Sequence, residues 1–214
     1  MKKLLNGVEK FAKEKFATKA RLYKNLAKGQ TPLALFITCS DSRIDPNFLT
    51  HTEPGELFVL RTAGNIVPPY DKLRGGEAAT IEYAISVLKV PDIIICGHSH
   101  CGAMAGLLHP ESVRALPAVC DLLKYAEKAG RIVRENGDHL DDAARLISAV
   151  ETNVVVQLEQ LQSHPTVAEA VDRGELKLHG WVYHFENGMI EEYDSETKRF
   201  APLVDPALAH AAAS

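Results

Sequence analysis

Asp92-Ile93-Ile94-Ile95-Cys96-Gly97-His98-Ser99-His100-Cys101-Gly102 is the stretch that decides the fold. Pro91 ends the helical pattern before it. A short, uninterrupted apolar run of this kind predicts a parallel strand buried on both faces, from Asp92 to Cys96. Glycine then interrupts the run, and His98, His100 and Cys101 follow before a short helix over residues 101–108. In open parallel sheets functional groups gather beyond the carboxyl ends of strands, at a switch in strand order. His98 and Cys101 stand at such a place.

The same pattern recurs on either side. Leu33 to Thr38 is a first buried strand, running into Cys39-Ser40-Asp41-Ser42-Arg43. Glu56 to Arg61 is a second, introduced by the turn Glu53-Pro54-Gly55 and followed by Thr62-Ala63-Gly64-Asn65. Gly75-Gly76 precede a helix from Glu77 to Lys89, with Ala78, Ile81, Ile85 and Leu88 at helical spacing. Longer helices are expected over 117–130 and 140–162, with a further turn or two over 165–173. Leu176 to His184 is a fourth strand, and Asn187-Gly188 a hairpin turn into Met189–Tyr193. Strands alternating with helices predict an α/β fold: a central, mostly parallel sheet of four strands plus an edge antiparallel strand, flanked by helices. One domain is expected over 1–204, with 1–28 a helical arm and 205–214 a carboxy-terminal tail.

Composition narrows the function. The chain has 214 residues, 24 basic against 28 acidic, a formal net charge of -4, and 46% hydrophobic residues, as in ordinary soluble globular proteins. The mild acidity argues against a nucleic-acid partner, and no apolar run reaches membrane-spanning length. Met1-Lys2-Lys3-Leu4-Leu5-Asn6-Gly7 leads into no apolar stretch of secretory length, so the expectation is a cytoplasmic protein. Its thiols should then be reduced, serving metal binding or packing rather than disulfides. Cys96 and Cys120, inside apolar segments, read as small hydrophobes. Cys39 and Cys101 differ, because each stands where a strand gives way to polar residues and glycine.

Two thiolates and an imidazole, from Cys39, Cys101 and His98, are a donor set that suits zinc and leaves a fourth position open. Either His-x-x-Cys or a strand-end cysteine alone would serve as well in a core. Asp41 can be a fourth zinc ligand or a hydrogen-bond acceptor beside the metal. Arg43 can pair with it through two parallel bonds, or the two can form a plain surface salt bridge.

Together Cys39-Ser40-Asp41-Ser42-Arg43 and Cys96-Gly97-His98-Ser99-His100-Cys101-Gly102, with 59 residues from Cys39 to His98, resemble the β-class carbonic anhydrases. The similarity takes in Glu53 to Phe58, Asn65 to Pro68, Ile81 to Ala84 and His179 to Tyr183. The resemblance implies zinc on Cys39, His98 and Cys101, with Asp41 joining only if the site closes. It also implies the catalytic pair Asp41–Arg43, and reversible hydration of carbon dioxide to bicarbonate and a proton with zinc hydroxide as nucleophile. It implies a homodimer or a dimer of dimers. The substrate pocket would be lined by Gln30, Phe58, Ala63 and Tyr83, with Phe58 and Tyr83 reaching across the dimer interface unless they simply pack a core. The Gly102 N–H would bond the bicarbonate product, where a side chain would crowd it. Rival readings are a carbon disulfide or carbonyl sulfide hydrolase on the same fold, and a non-catalytic zinc-stapled oligomer or redox sensor. Relatives that close the zinc with the aspartate hold an inhibitory bicarbonate with a Trp–Arg–Tyr trio; the Trp position here is Phe36, which lacks the donor, although Arg61 matches. The open form is therefore expected.

Two thiolates cancel the charge of the metal, so this donor set should acidify water less than the three-histidine set, for which the water pKa is about 7. Activity is expected to climb toward alkaline pH in a stopped-flow profile. A profile already flat from about pH 6 upward contradicts this.

Overall fold

Apolar side chains on both faces of a strand require a sheet covered on both sides, and the computed structural model shows one. It describes residues 1–71 and 74–205, so the expected tail lies, beyond Asp205, outside the described residues. The chain divides into two units, Met1–Thr31 and Pro32–Ser214. The first holds helices α1 (Lys2–Lys10), α2 (Phe16–Thr18) and α3 (Ala20–Leu26), with one π-helical turn over Phe11–Lys15. The rings of Phe11, Phe16 and Tyr23 cluster there with centroids 5.4–6.2 Å apart.

The second unit is built on strands β1 (Ala34–Cys39), β2 (Leu57–Thr62), β3 (Asp92–His98), β4 (Lys177–Tyr183), β5 (Ile190–Asp194) and β6 (Arg199–Pro202), in the order β2-β1-β3-β4-β5-β6. The pairs β1–β2, β1–β3 and β3–β4 are parallel, and β4–β5 and β5–β6 antiparallel. The sheet thus carries one strand more than the five expected. β6 is only four residues and contains a proline, too short for an alternation pattern to register. It forms because Asp194 Oδ1 accepts the N–H groups of Glu196 (2.7 Å) and Thr197 (3.2 Å), while Lys198 turns the chain back at φ 56°. The Asn187-Gly188 hairpin is present, with Gly188 at φ 73°.

Helices α4 (Pro46–Thr50), α5 (Gly76–Ser86), α6 (Gly102–Leu108), α7 (Pro110–Val113), α8 (Pro117–Leu123), α9 (Glu127–Asn136), α10 (Asp142–Leu161) and α11 (Pro165–Asp172) flank the sheet. The single helix expected over 117–130 is broken by a 3₁₀ turn, Lys124–Ala126, between α8 and α9. α4 starts at Asp45, whose Oδ1 accepts from the N–H groups of Asn47 and Phe48, with Pro46 at the first helical position. One face of the sheet packs Leu35, Ile37, Ile93 and Ile95 with Val150 and Val154 of α10. The other buries Phe36, Ile94 and Cys96 with Ile44. α10 approaches so closely that a Cβ on Gly97 would lie 2.9 Å from both Val150 and Val154. That contact fixes β3 against α10 one residue before the strand ends at His98. His179 stitches three strands, its ring nitrogens 2.8 Å from Glu192 and 2.9 Å from Asp92. Among the described residues no helix is long and apolar enough to cross a membrane.

Candidate metal centre

β1 and β3 are neighbours, but β2 lies on the far side of β1 and β4 on the far side of β3. Their carboxyl ends therefore form a topological switch point. Cys39 is the last residue of β1, His98 the last of β3, and Cys101 the residue that opens α6. The two sulfurs and a ring nitrogen of His98 all lie within 4.8 Å of one another, and all three residues are buried. His98 Nδ1 is 2.8 Å from the Ser99 carbonyl, so it carries the N–H and donates. That tautomer leaves a lone pair on Nε2, which is buried and has no hydrogen-bond partner. A buried polar atom without a partner is costly. An orphaned nitrogen facing two sulfurs is what a zinc ion would satisfy, so the residues fit the metal that the sequence implied.

The sulfurs are prepared for charge. Cys39 Sγ accepts the N–H groups of Asp41 (3.4 Å) and Gly64 (3.3 Å). A hydrogen bond from the Cys101 thiol, outweighing burial and helped by these amides, lowers the Cys39 pKa to about 4. Cys101, bonded to that thiolate and desolvated, is held far above its usual value. The pair therefore keeps one proton between them, which metal binding would displace. Cys96 is fully buried with its thiol pushed up to about 12 by desolvation, the inert packing residue expected.

Asp41 is clamped. Arg43 Nε donates to its Oδ1 (2.9 Å) and Nη2 to its Oδ2 (2.7 Å), and the Arg43 backbone N–H adds a bond to Oδ1 (2.9 Å). Chiefly through the Arg43 side chain, the Asp41 carboxyl is held well below the ordinary carboxylate range. Its Oδ2 lies 4.0 Å from His98 Nε2, beside the donor set. Arg43 is itself fixed: Nη2 donates to the His100 carbonyl (3.1 Å), and its guanidinium lies 4.8 Å over the Phe185 ring. This is not a loose surface ion pair.

Of the pocket residues, Ala63 directly follows Thr62, which pairs in register with Cys39. Gly102 is exposed at the start of α6, and a Cβ there would meet no atom within 4 Å. The crowding expected of a side chain at that position does not come from the protein's own atoms. Phe58 and Tyr83 face one another with ring centroids 6.0 Å apart. Phe58 pairs with Leu35, four residues before Cys39, or about 13 Å down the strand. The two rings are remote from the metal ligands of their own chain. Gln30 belongs to the first unit, where it is exposed.

Four residues contribute in ways the sequence alone did not reveal. Arg61 donates to the carbonyls of Cys39 (2.9 Å), Asp41 (2.7 Å) and Ile44 (2.7 Å), pinning the loop that carries Asp41 and Arg43. Asn153 and Gln157 are buried amides four residues apart on α10. Their only sequence signal is polarity inside an apolar helix. Gly64 turns the chain at φ 69°, and a Cβ there would come within 2.8 Å of Ala103 Cβ and 3.1 Å of Met104 Cε. Gly64→Ala is expected to cost about 1–3 kcal/mol in chemical denaturation from backbone strain and overpacking together, and to loosen metal retention.

Comparison with known proteins agrees with this geometry. Residues 34–190 match the family model described as carbonic anhydrase. A Pseudomonas aeruginosa protein named carbonic anhydrase is 46% identical over 205 residues, 96% of this chain and 93% of its own length. The β-carbonic anhydrase CcaA superposes with a TM-score of 0.92 at 45% identity, covering 94% of this chain and 98% of CcaA. A tetrameric β-carbonic anhydrase of Sordaria macrospora superposes with a TM-score of 0.78 at 33% identity, over 88% of this chain and 94% of its own. With the motifs, the sheet order and the donor set all in agreement, the chain belongs to the β-class carbonic anhydrases.

Proposed function

We propose that the chain binds one zinc ion through Cys39, His98 and Cys101 and catalyses the reversible hydration of carbon dioxide to bicarbonate and a proton. One observation carries this most: a buried, unpartnered His98 Nε2 faces two sulfurs, while both oxygens of the nearest carboxylate are held by Arg43. Zinc, when bound, acts as a Lewis acid that makes water nucleophilic near neutral pH.

The chain supplies the rest. Arg43 occupies both Asp41 oxygens, which keeps the carboxylate from becoming a fourth donor and leaves that position to solvent. Asp41 Oδ2 retains a lone pair beside its Arg43 bond and accepts the O–H of the nucleophile, aiming its other lone pair at the substrate carbon. Because Arg43 holds Asp41 ionised far into the acid range, the alkaline rise in activity expected above does not come from Asp41 titration. Ala63 lines an apolar pocket for carbon dioxide, completed by Phe58 and Tyr83 of a second copy of the chain. The remoteness of those two rings from their own metal ligands supports that assignment. The Gly102 N–H, at the exposed start of α6, bonds the bicarbonate product. The protein works as a cytoplasmic homodimer or dimer of dimers, in keeping with the tetrameric β-carbonic anhydrase of Sordaria macrospora. The hydrolase and zinc-staple readings are not favoured. The relatives are named carbonic anhydrases, and a structural staple has no use for the Asp41–Arg43 clamp.

Metal analysis and stopped-flow carbon dioxide hydration on one purified sample test the proposal. One zinc per chain with turnover is expected. Zinc-loaded protein that does not hydrate carbon dioxide, or full activity without metal, overturns it.

A further inference from the structure

α10 carries two buried amides that the chemistry above does not use. Asn153 is 1% exposed and Gln157 fully buried, among the otherwise apolar buried residues Ala149, Val150, Val154, Val156 and Leu161 of the helix. Placing amides there is costly unless every polar group is satisfied, so their bonds indicate what they do. Val67 N–H donates to Gln157 Oε1 (2.8 Å), Gln157 Nε2 donates to Asn153 Oδ1 (2.9 Å), and Asn153 Nδ2 donates to the Gly64 carbonyl (3.0 Å). The Gly64 N–H in turn donates to Cys39 Sγ at 3.3 Å. The chain of bonds thus runs from α10, across 89 residues of sequence, to a sulfur of the metal centre.

The segment it holds has little freedom of its own to stay in place. Gly64 and Asn65 are both in the left-handed region, at φ 69° and φ 50°, which glycine enters freely and asparagine more readily than other residues, so the backbone alone does not hold the turn in one place. On its other side the turn abuts Ala103 and Met104 of α6, immediately after Cys101. The amides pull the turn toward α10 while α6 blocks it. Between them the direction of the Gly64 N–H is set.

We propose that Asn153 and Gln157 are positioning residues for the metal centre, fixing the Gly64 turn so that its N–H donates to Cys39 Sγ and sets both the place and the electron donation of that sulfur. This deepens the zinc reading and rests on it. An N–H donor withdraws charge from a thiolate. Losing it raises the sulfur donor orbitals, which moves a sulfur-to-metal charge-transfer band to lower energy, and it removes a support that holds the ligand ready.

The test uses full-length protein loaded with cobalt(II) in place of zinc, wild type against Asn153→Leu and the near-isosteric Gln157→Met. Expected are a red-shifted sulfur-to-cobalt band and zinc affinity, measured by chelator competition, weaker by about 10–100-fold. A merely structural role would lower the melting temperature and leave the band where it was. Folded variants with a wild-type band and affinity within about twofold overturn the proposal. Buried-amide variants can fail to fold, so the wild-type protein loaded with cadmium-113 supplies a second reading. Scalar coupling between the metal and the Gly64 amide proton is expected across the N–H···S bond, and its absence overturns the proposal. Wild-type protein with no sulfur-to-cobalt band at all would instead sink the metal centre itself, which keeps the two failures apart.

Discussion

His98→Ala protein is expected to be purified without stoichiometric zinc and to hydrate carbon dioxide at background rate, a loss of roughly 10³-fold or more. The substitution removes the one nitrogen donor and leaves two sulfurs, fewer than the three protein donors that a catalytic zinc site takes. The fold should survive. Among the described residues the His98 ring hydrogen-bonds only the neighbouring Ser99 carbonyl and lies tilted with its centroid 5.0 Å from that of Phe185, so what is lost is one buried ring and its packing. Circular dichroism and thermal melting would show a folded protein of reduced stability, while metal analysis and stopped-flow rates collapse together. Zinc retained at one per chain in His98→Ala would mean that the ligand set is wrong.

Arg43→Leu should lower kcat/KM by roughly 10²-fold or more while leaving zinc in place. Asp41 would lose the Nε and Nη2 bonds and keep only the Arg43 backbone N–H. With Oδ2 already 4.0 Å from His98 Nε2, the freed carboxylate can turn onto the metal and displace the solvent position. Arg43→Lys restores charge without the planar fork, so it should rescue only part of the loss. The pH sign follows from the depressed Asp41 value. The bond to Arg43 stabilises the fold above the unfolded carboxyl pKa of about 4 and ceases to do so as pH falls through the lower native value. Arg43→Leu should therefore narrow the difference between wild-type and variant stability as urea melts are moved from neutral to strongly acid pH. Activity equal to wild type in Arg43→Leu would show that the clamp is ornamental.

The places where chemistry would collect were legible in the sequence because their signals are local. An Ile-rich run specifies a buried strand, and the switch from apolar run to Gly97, His98 and Cys101, or to Cys39, Asp41 and Arg43, marks a carboxyl end. The structure places β1 and β3 within a residue or two of the expected bounds. The Asp41–Arg43 bond lies within three residues of chain, so spacing alone allowed it. Whether it formed depended on the loop carbonyls held by Arg61 and on the Phe185 ring beneath the guanidinium.

By itself, then, the sequence determined the five longer strands, the residues at the ends of β1 and β3 and the donor types that suit zinc, since each depends on periodicity or on neighbours along the chain. Only tertiary structure decided that Cys39 and His98 meet, because that follows from β1 lying next to β3 rather than from anything in either segment. It also decided that Phe58 and Tyr83 stand far from their own metal ligands, a matter of strand register. The link from Asn153 to a sulfur contact beyond β2 spans elements that no local pattern connects, and α10 must dock on the sheet before those amides have anything to bond.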